Sequence, residues 1–298
     1  MMRRFAIIGG GGLLGTALRE ALAGRDVSAP PQRELAIEDR TALAAWLDDA
    51  RPEVLVNCSA FHHVDTCERE PEAAFAVNAL AVDRAAEACA ARGIAFATIS
   101  TDYVFDGEAG RAYHETDAPN PRTAYGVSKL AGELLVRRRG GEHFIVRTSG
   151  VFGAAGISAK GLPLIEKVLR QAEAGEPTRM VSDVVFSPSY APDVARAIVE
   201  LADRRAFGTH HVTNTGAASW YEFVRAAFDR CGYRAELQAV PYASLRNDVQ
   251  RPLFSPLENT TFAGHGIAPM PGWEDALERF LARRTEAAAA RSWEGSAS

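Results

Sequence analysis

The first fifteen residues restrict the fold more than any other stretch of the chain. Phe5-Ala-Ile-Ile8 is a short, unbroken apolar run of the kind that a strand buried on both faces requires. Gly9-Gly-Gly-Gly12-Leu-Leu-Gly15 follows directly, and Leu13, Leu14, Ala17, Leu18, Ala21 and Leu22 then recur at helical spacing. Strand, glycine turn and helix in that order open a dinucleotide-binding unit. Gly9 permits the tight turn, Gly12 lets a pyrophosphate approach the backbone, and Gly15 lets the helix pack close to the strand while its free N-terminal amides face the phosphates. A GxxGxxG spacing alone is equally compatible with a plain glycine-rich turn, so its meaning depends on what lies downstream.

Downstream, Tyr125 and Lys129 stand four residues apart in Ala124-Tyr-Gly-Val-Ser-Lys-Leu130. On a helix that spacing puts them on one face with β-carbons about 5–6 Å apart. An ammonium beside a phenol is expected to favour the phenolate, moving a group that ordinarily titrates near ~10 toward the working range of a general acid or base. With Thr101 as a further hydroxyl and a nicotinamide alongside, these are the parts for hydride transfer.

Between and beyond these motifs, strand and helix patterns alternate. Asp26-Val-Ser28 follows the first unit, then a helix over 41–49, a strand over 54–56, a long helix over 71–92, a strand over 94–99, the Tyr125 helix and a strand over 144–147. Helical crossovers between apolar strands predict a doubly wound parallel sheet covered on both faces. After Ser149 the pattern loosens into a Gly/Ala/Ser-rich stretch over 150–161, a helix over 162–174 and a Pro-punctuated region from Pro241 onward. The expected division is a nucleotide-binding domain of 1–149 with 176–213 and a smaller substrate lobe of 150–175 with 214–298, frayed from 287. Ligands of such a sheet lie beyond the carboxyl ends of the strands, which directs attention to Asn57-Cys-Ser-Ala-Phe61, Ser100-Thr-Asp-Tyr103 and Arg147-Thr-Ser-Gly150.

A net charge of −5, with Arg137-Arg-Arg139 as the one compact basic run, argues against nucleic acid as a partner. That run closes a helix, where cations complement the dipole. The apolar stretch after Met-Met-Arg-Arg runs into glycines instead of a cleavage site, and no segment approaches membrane-spanning length, so a cytoplasmic protein with reduced cysteines is expected. Cys58, His62, His63 and Cys67 mimic a metal cluster, but adjacent histidines do not readily chelate one ion; His63 instead faces a substrate or is a hydrogen-bonded loop residue. Asp65 and Asn78 read as satisfying backbone groups beneath the cofactor loop, and Trp220 and Phe223 as core.

Val56-Asn-Cys-Ser-Ala-Phe61, Cys67-Glu-Arg-Glu-Pro71, Ala76-Val-Asn78, Ser100-Thr-Asp-Tyr-Val-Phe-Asp-Gly107, Tyr125-Gly-Val-Ser-Lys-Leu-Ala-Gly-Glu133 and Arg147-Thr-Ser149, with Arg251-Pro252, Ser255 and Leu257, resemble the extended short-chain dehydrogenase/reductases. Within them the chain is similar to the dTDP-4-dehydrorhamnose reductase family, from Phe5 to about Leu281. The resemblance implies an α/β, Rossmann-type doubly wound parallel sheet with a smaller C-terminal substrate lobe. It implies NAD(P)H-dependent reduction of the C4 keto group of a nucleotide-linked 4-keto-6-deoxy sugar; a homodimer is a possible assembly.

In that scheme Tyr125 protonates the oxygen, Lys129 holds the nicotinamide ribose, Thr101 donates to the developing oxyanion, and Asp102 orients a sugar hydroxyl. Gly9, Gly12, Leu13, Leu14, Gly15, Ser59, Ala60, Phe61 and Ile99 fall on cofactor contacts, and His63 and Gly150 on the substrate side. Where many members carry a tryptophan, Gly150 either removes an aromatic surface beside the sugar or leaves a space that Phe152 or Phe186 fills, and Asp183-Val-Val-Phe-Ser-Pro-Ser189 departs from a common Asp-Gln-x-Gly-x-Pro-Thr stretch. A metal-binding glutamate of some relatives is Ala17 here, so no metal is expected. Val27-Ser-Ala-Pro-Pro-Gln-Arg33 offers no acid for a ribose 2′-hydroxyl before Glu34, whereas Arg33 could meet a 2′-phosphate, which favours NADPH over NADH. An epimerase or dehydratase of the same superfamily, or a regulatory subunit like the β-subunit of methionine adenosyltransferase, remain the alternatives.

Overall fold

The computed structural model describes residues 3–154, 162–245 and 249–296; much of the expected Gly/Ala/Ser-rich linker, 155–161, lies outside the described residues. In chain order the nucleotide-binding half contains β1 (Phe5–Ile8), α1 (Leu13–Ala21), β2 (Val27–Ser28), α2 (Arg40–Ala50), β3 (Val54–Asn57), α3 (Val64–Arg69) and α4 (Pro71–Phe75). A π-helical turn (Ala76–Ala81) leads into α5 (Val82–Ala90), β4 (Ala95–Thr101), α6 (Ala124–Arg139) and β5 (His143–Thr148). Then come β6 (Val151–Phe152), α7 (Leu164–Glu173), β7 (Thr178–Val181), β8 (Val185–Phe186), β9 (Ser189–Tyr190) and α8 (Ala191–Arg204). The chain closes with β10 (Gly208–His211), β11 (Ala218–Ser219), α9 (Trp220–Cys231), β12 (Leu237–Val240) and α10 (Trp273–Ser296).

Six strands form one parallel sheet in the order β10-β5-β4-β3-β1-β2. Alternation of side chains sorts the apolar runs onto two faces. Phe5, Ile7, Val54, Val56, Phe144 and Val146 meet α1 and α8 through Leu18, Val194, Ile198 and Leu201. Ala6, Ile8, Leu55, Phe96 and Ile145 meet α2, α5 and α6 through Leu43, Leu47, Val82, Ala85 and Val136. Because β2 lies on one side of β1 and β3 on the other, the chain changes direction at the β1/β3 pair, and the crevice opens beyond Ile8 and Asn57, which are paired in register.

A separate apolar cluster builds the lobe from Phe152, Ile165, Leu169, Met180, Phe186, Phe223, Phe228, Trp273, Leu277 and Phe280. Met180 and Phe186, expected with the nucleotide-binding half, pack here, and β7 pairs with the distant β12 instead of joining the large sheet. Helix α9 starts with a reciprocal capping box between Ser219 and Glu222. Helix α10 continues to Ser296 where fraying from 287 was expected, and it is pinned by Arg279 to Asp193, Arg283 to Glu20, and Arg284 to Glu166 and Glu173. No helix among the described residues is long and apolar enough to cross a membrane.

Candidate active site

The glycine loop is dictated by steric contact. Gly9 has φ +77°, and a Cβ there would stand 2.9 Å from the Ser59 nitrogen, so the turn presses against the end of β3. A Cβ on Gly15 would lie 2.2 Å from the Gly9 carbonyl oxygen, which fixes the close approach of α1 to β1. By contrast, a Cβ on Gly11 would meet nothing within 4 Å, and on Gly12 only the Gly9 oxygen at 3.4 Å. The backbone over 11–12 therefore faces open space, with the unpaired amides of the first turn of α1 behind it. A dinucleotide pyrophosphate fits such a cradle. Leu14 turns its side chain into the core, leaving only its backbone for that purpose, while Leu13 lies against Gly153.

Opposite the loop, Ser59, Ala60 and Phe61 are half-buried and held from below. Asn57 Oδ1 accepts from the Ser59 amide at 3.0 Å and its hydroxyl at 2.6 Å. Asn78 takes the Phe61 amide (2.9 Å) and donates to the Phe61 carbonyl (2.8 Å) and the Ser128 hydroxyl (3.0 Å). Its position depends on the π-helical turn, which interrupts the single helix expected over 71–92. Asp65 does not serve the loop backbone; it pairs with Arg251 at 2.9 Å.

The Tyr125–Glu133 segment of α6 becomes legible in contact with these supports. Thr123 caps the helix by accepting from the Gly126 amide at 3.0 Å. A Cβ on Gly126 would stand 2.2 Å from the Tyr103 carbonyl oxygen, and on Gly132 2.3 Å from that of Asn78, so both glycines set how closely α6 approaches its neighbours. Glu133 is buried, accepting from Ser100 at 2.5 Å and from Arg147 at 2.9 and 2.7 Å. Removing one member of such a pair typically costs about 3–5 kcal/mol, because the other charge stays buried.

Tyr125 and Lys129 are presented on one face as the spacing predicts, with the Tyr103 ring edge-on to Tyr125 at 5.7 Å. The expected depression of the phenol is not found. Burial pushes Tyr125 above its ordinary value, opposed by a hydrogen bond from Thr101, while Asp102 and Tyr103 push the same way as burial. The phenol is thus neutral at physiological pH, the state a proton donor needs. Burial also lowers Lys129 to about 8, against the opposing charge of Glu133 and the nearby Cys58. Since kcat/KM reports the free protein, a falling limb is expected as pH rises through about 8 and the ammonium is lost. A profile flat from pH 7 to 9 would remove Lys129 from that role.

Asp102 is a buried group, where a sugar-binding role was expected of it. It accepts from Ser255 at 2.6 Å and Thr101 at 3.1 Å, and burial raises its pKa. Its geometry orients the Thr101 hydroxyl. Of the two readings of Gly150 the filled space holds: a Cβ there would lie 2.1 Å from the Phe186 ring, which stacks on Trp220 at 4.0 Å. Ile99 lies two residues before Thr101 on β4. His63 is exposed at the start of α3, and Arg33 is 83% exposed beside Glu34. Ser255 and Arg251, which reaches the Tyr103 hydroxyl at 3.3 Å, stand in the motifs that carry the resemblance, but their place beside Asp102 and Tyr103 was not foreseen. Among the described residues, no three His, Cys, Asp or Glu side chains converge as metal ligands.

A parallel sheet with a glycine loop at its switch point, and a Tyr–Lys pair on the helix that follows a Thr-ended strand, define an extended short-chain dehydrogenase/reductase. The chain belongs to the family described as RmlD substrate binding domain, whose model matches residues 2–286. It is 34% identical to the spore coat polysaccharide biosynthesis protein SpsK of Bacillus subtilis over 96% of this chain and 99% of that one. It is 33% identical to the dTDP-4-dehydrorhamnose reductase of Aggregatibacter actinomycetemcomitans, over 94% and 99% of the two chains. The crystal structure of dTDP-4-dehydrorhamnose reductase from Bacillus anthracis in complex with NADP superposes with a TM-score of 0.90 at 31% identity, covering 95% of this chain and 100% of that one.

Proposed function

We propose that this protein is an NAD(P)H-dependent reductase of the C4 keto group of a nucleotide-linked 4-keto-6-deoxy sugar, of the dTDP-4-dehydrorhamnose reductase kind. The observation that carries this reading is the placement of the Tyr125 phenol beside Thr101, with Lys129 one turn further along the same face of α6. The relatives named above, reductases of a dTDP-linked keto sugar among them, support the same chemistry and substrate class.

When bound, the nicotinamide supplies the hydride. Tyr125 gives its phenolic proton to the carbonyl oxygen, and Thr101, turning its one hydroxyl proton from Asp102 toward the substrate, donates to the charge that develops there; one such donor can contribute ~3–4 kcal/mol. Lys129 holds the ribose and, as a cation, offsets the phenolate that remains. The cradle over 11–12 and the Asn78-held 59–61 segment grip the rest of the cofactor. Reduction is favoured over dehydration because Asp102 is followed by Tyr103, whose ring packs on Tyr125, where a dehydratase needs a second acid–base group. His63 at the rim is assigned to the substrate side, and the division between nucleotide-binding half and substrate lobe belongs to this reading. So do a cytoplasmic location and a homodimer, for which Leu80 and Leu134, half-exposed on neighbouring helical segments, offer a face.

The test is a panel of nucleotide-linked 4-keto sugars, with NAD(P)H oxidation followed by absorbance. Turnover of a dTDP-linked 4-keto-6-deoxyhexose is expected; no turnover of any 4-keto sugar would sink the proposal. NADPH should give the higher kcat/KM, and Arg33→Ala should narrow the gap from NADH selectively. A wild-type preference for NADH would reject the cofactor assignment alone.

A further inference from the structure

We infer that Arg19 is a second reader of the cofactor 2′-phosphate, acting from the glycine-loop helix opposite Arg33; this rests on the NADPH reading above. Helical side chains lean toward the N-terminus of their helix, and Arg19, in the second turn of α1, does so. A Cβ on Gly10 would stand 3.6 Å from Arg19 Cδ and 3.2 Å from Ala29 Cβ. The guanidinium therefore leaves its stem where the glycine loop meets the first residue after β2. In a dinucleotide fold that junction meets the adenosine ribose, and an acidic side chain there grips the 2′-hydroxyl of NAD. Ser28, Ala29, Pro30 and Pro31 supply none.

Charge bookkeeping around the junction leaves Arg19 uncommitted. Asp203 is taken by Arg25 at 2.6 Å, Glu20 by Arg283 at 2.8 Å, and Glu34 lies 3.5 Å from Arg33. Among the described residues no carboxylate forms an ion pair with Arg19, whose side chain is exposed. A cavity of about 300 Å³ runs along Arg19 from Ala29 and Val27 down to Leu22, Ala23, Gly24 and Arg25, so the arginine stem is open on that flank. A phosphate monoester carries nearly two negative charges and offers several acceptor oxygens, and a guanidinium fork binds it through two parallel hydrogen bonds. Arg33, from the loop after β2, and Arg19, from α1, would hold it between them.

The experiment is calorimetric titration of the full chain and of Arg19→Ala and Arg19→Lys with NADPH, NADH and 2′,5′-ADP. Arg19 is exposed and alanine is the best helix former, so the fold is expected to persist, with an unchanged melting curve as the control. Arg19→Ala should weaken NADPH and 2′,5′-ADP at least roughly tenfold and leave NADH within about twofold, and lysine should recover part of the loss. Equal effects on NADPH and NADH, or no effect on 2′,5′-ADP, would overturn the assignment while leaving the reductase reading intact. If the wild-type protein bound neither dinucleotide, both would fall.

Discussion

Tyr125→Phe is expected to lower kcat by a factor on the order of 100 or more, about 2.7 kcal/mol of barrier, while the Kd for the dinucleotide barely changes. The separation follows from what the substitution removes. The phenol carries the transferable proton, but the ring keeps its edge-on contact with Tyr103 at 5.7 Å, so the face of α6 that supports the site is unaltered. Because burial holds the phenol protonated, the loss should persist across the neutral range instead of vanishing at low pH. Stopped-flow turnover with the preferred keto sugar, alongside equilibrium cofactor binding, checks it. Near-normal turnover would remove Tyr125 from the proton transfer.

Gly150→Trp should destabilise the protein and gain nothing catalytically. From the sequence, this glycine suggests a missing ring and an open pocket. In the structure the new Cβ would collide with two Phe186 ring carbons at 2.1 and 2.2 Å, and Phe186 is held by stacking on Trp220. The backbone is also left-handed, with φ +48°, which costs a side-chain-bearing residue roughly 1–2 kcal/mol. Adding overpacking of about 1–3 kcal/mol gives a fall in Tm of roughly 5–10 °C by calorimetry. An unchanged Tm together with improved kcat/KM for dTDP-4-dehydrorhamnose would restore the open-pocket reading.

The parts of this protein that are legible in its sequence are those whose causes are local. Glycines 9 and 15 are required by contacts within a single strand–turn–helix unit, and Tyr125 and Lys129 share a face because of helical pitch. The supports are distant, so their contacts are silent even where the residues stand in a motif. Asp102 is bonded by Ser255 from 153 positions away, and Asp65 by Arg251 from 186. Glu133 stands in the sequence only as the end of the Tyr125–Glu133 motif, and the fold reveals Arg147 as its partner. The direction of the Tyr125 shift was missed for a related reason. Spacing identifies the neighbouring charge, whereas desolvation depends on everything packed around it, and here desolvation is the larger effect. Likewise, the sequence offers both Phe152 and Phe186 for the Gly150 gap, and only the fold shows that Phe186 fills it, from a different strand.

The lobe's interior has a consequence for synthesis. Every strand of the large sheet has been made once His211 has emerged, so that half can pair while translation continues. The lobe cannot do the same. Phe152, made near the middle of the chain, is buried against Phe280, whose helix also buries its own Ala276 and Leu277 and ties itself to α1 through Glu20. Until residue 280 has cleared the ribosome, the aromatic side chains of β6 and α9 have no complete partner surface. A nascent chain stalled in α10 would carry an assembled dinucleotide-binding sheet beside an open apolar half, a species that chaperones and proteases recognise.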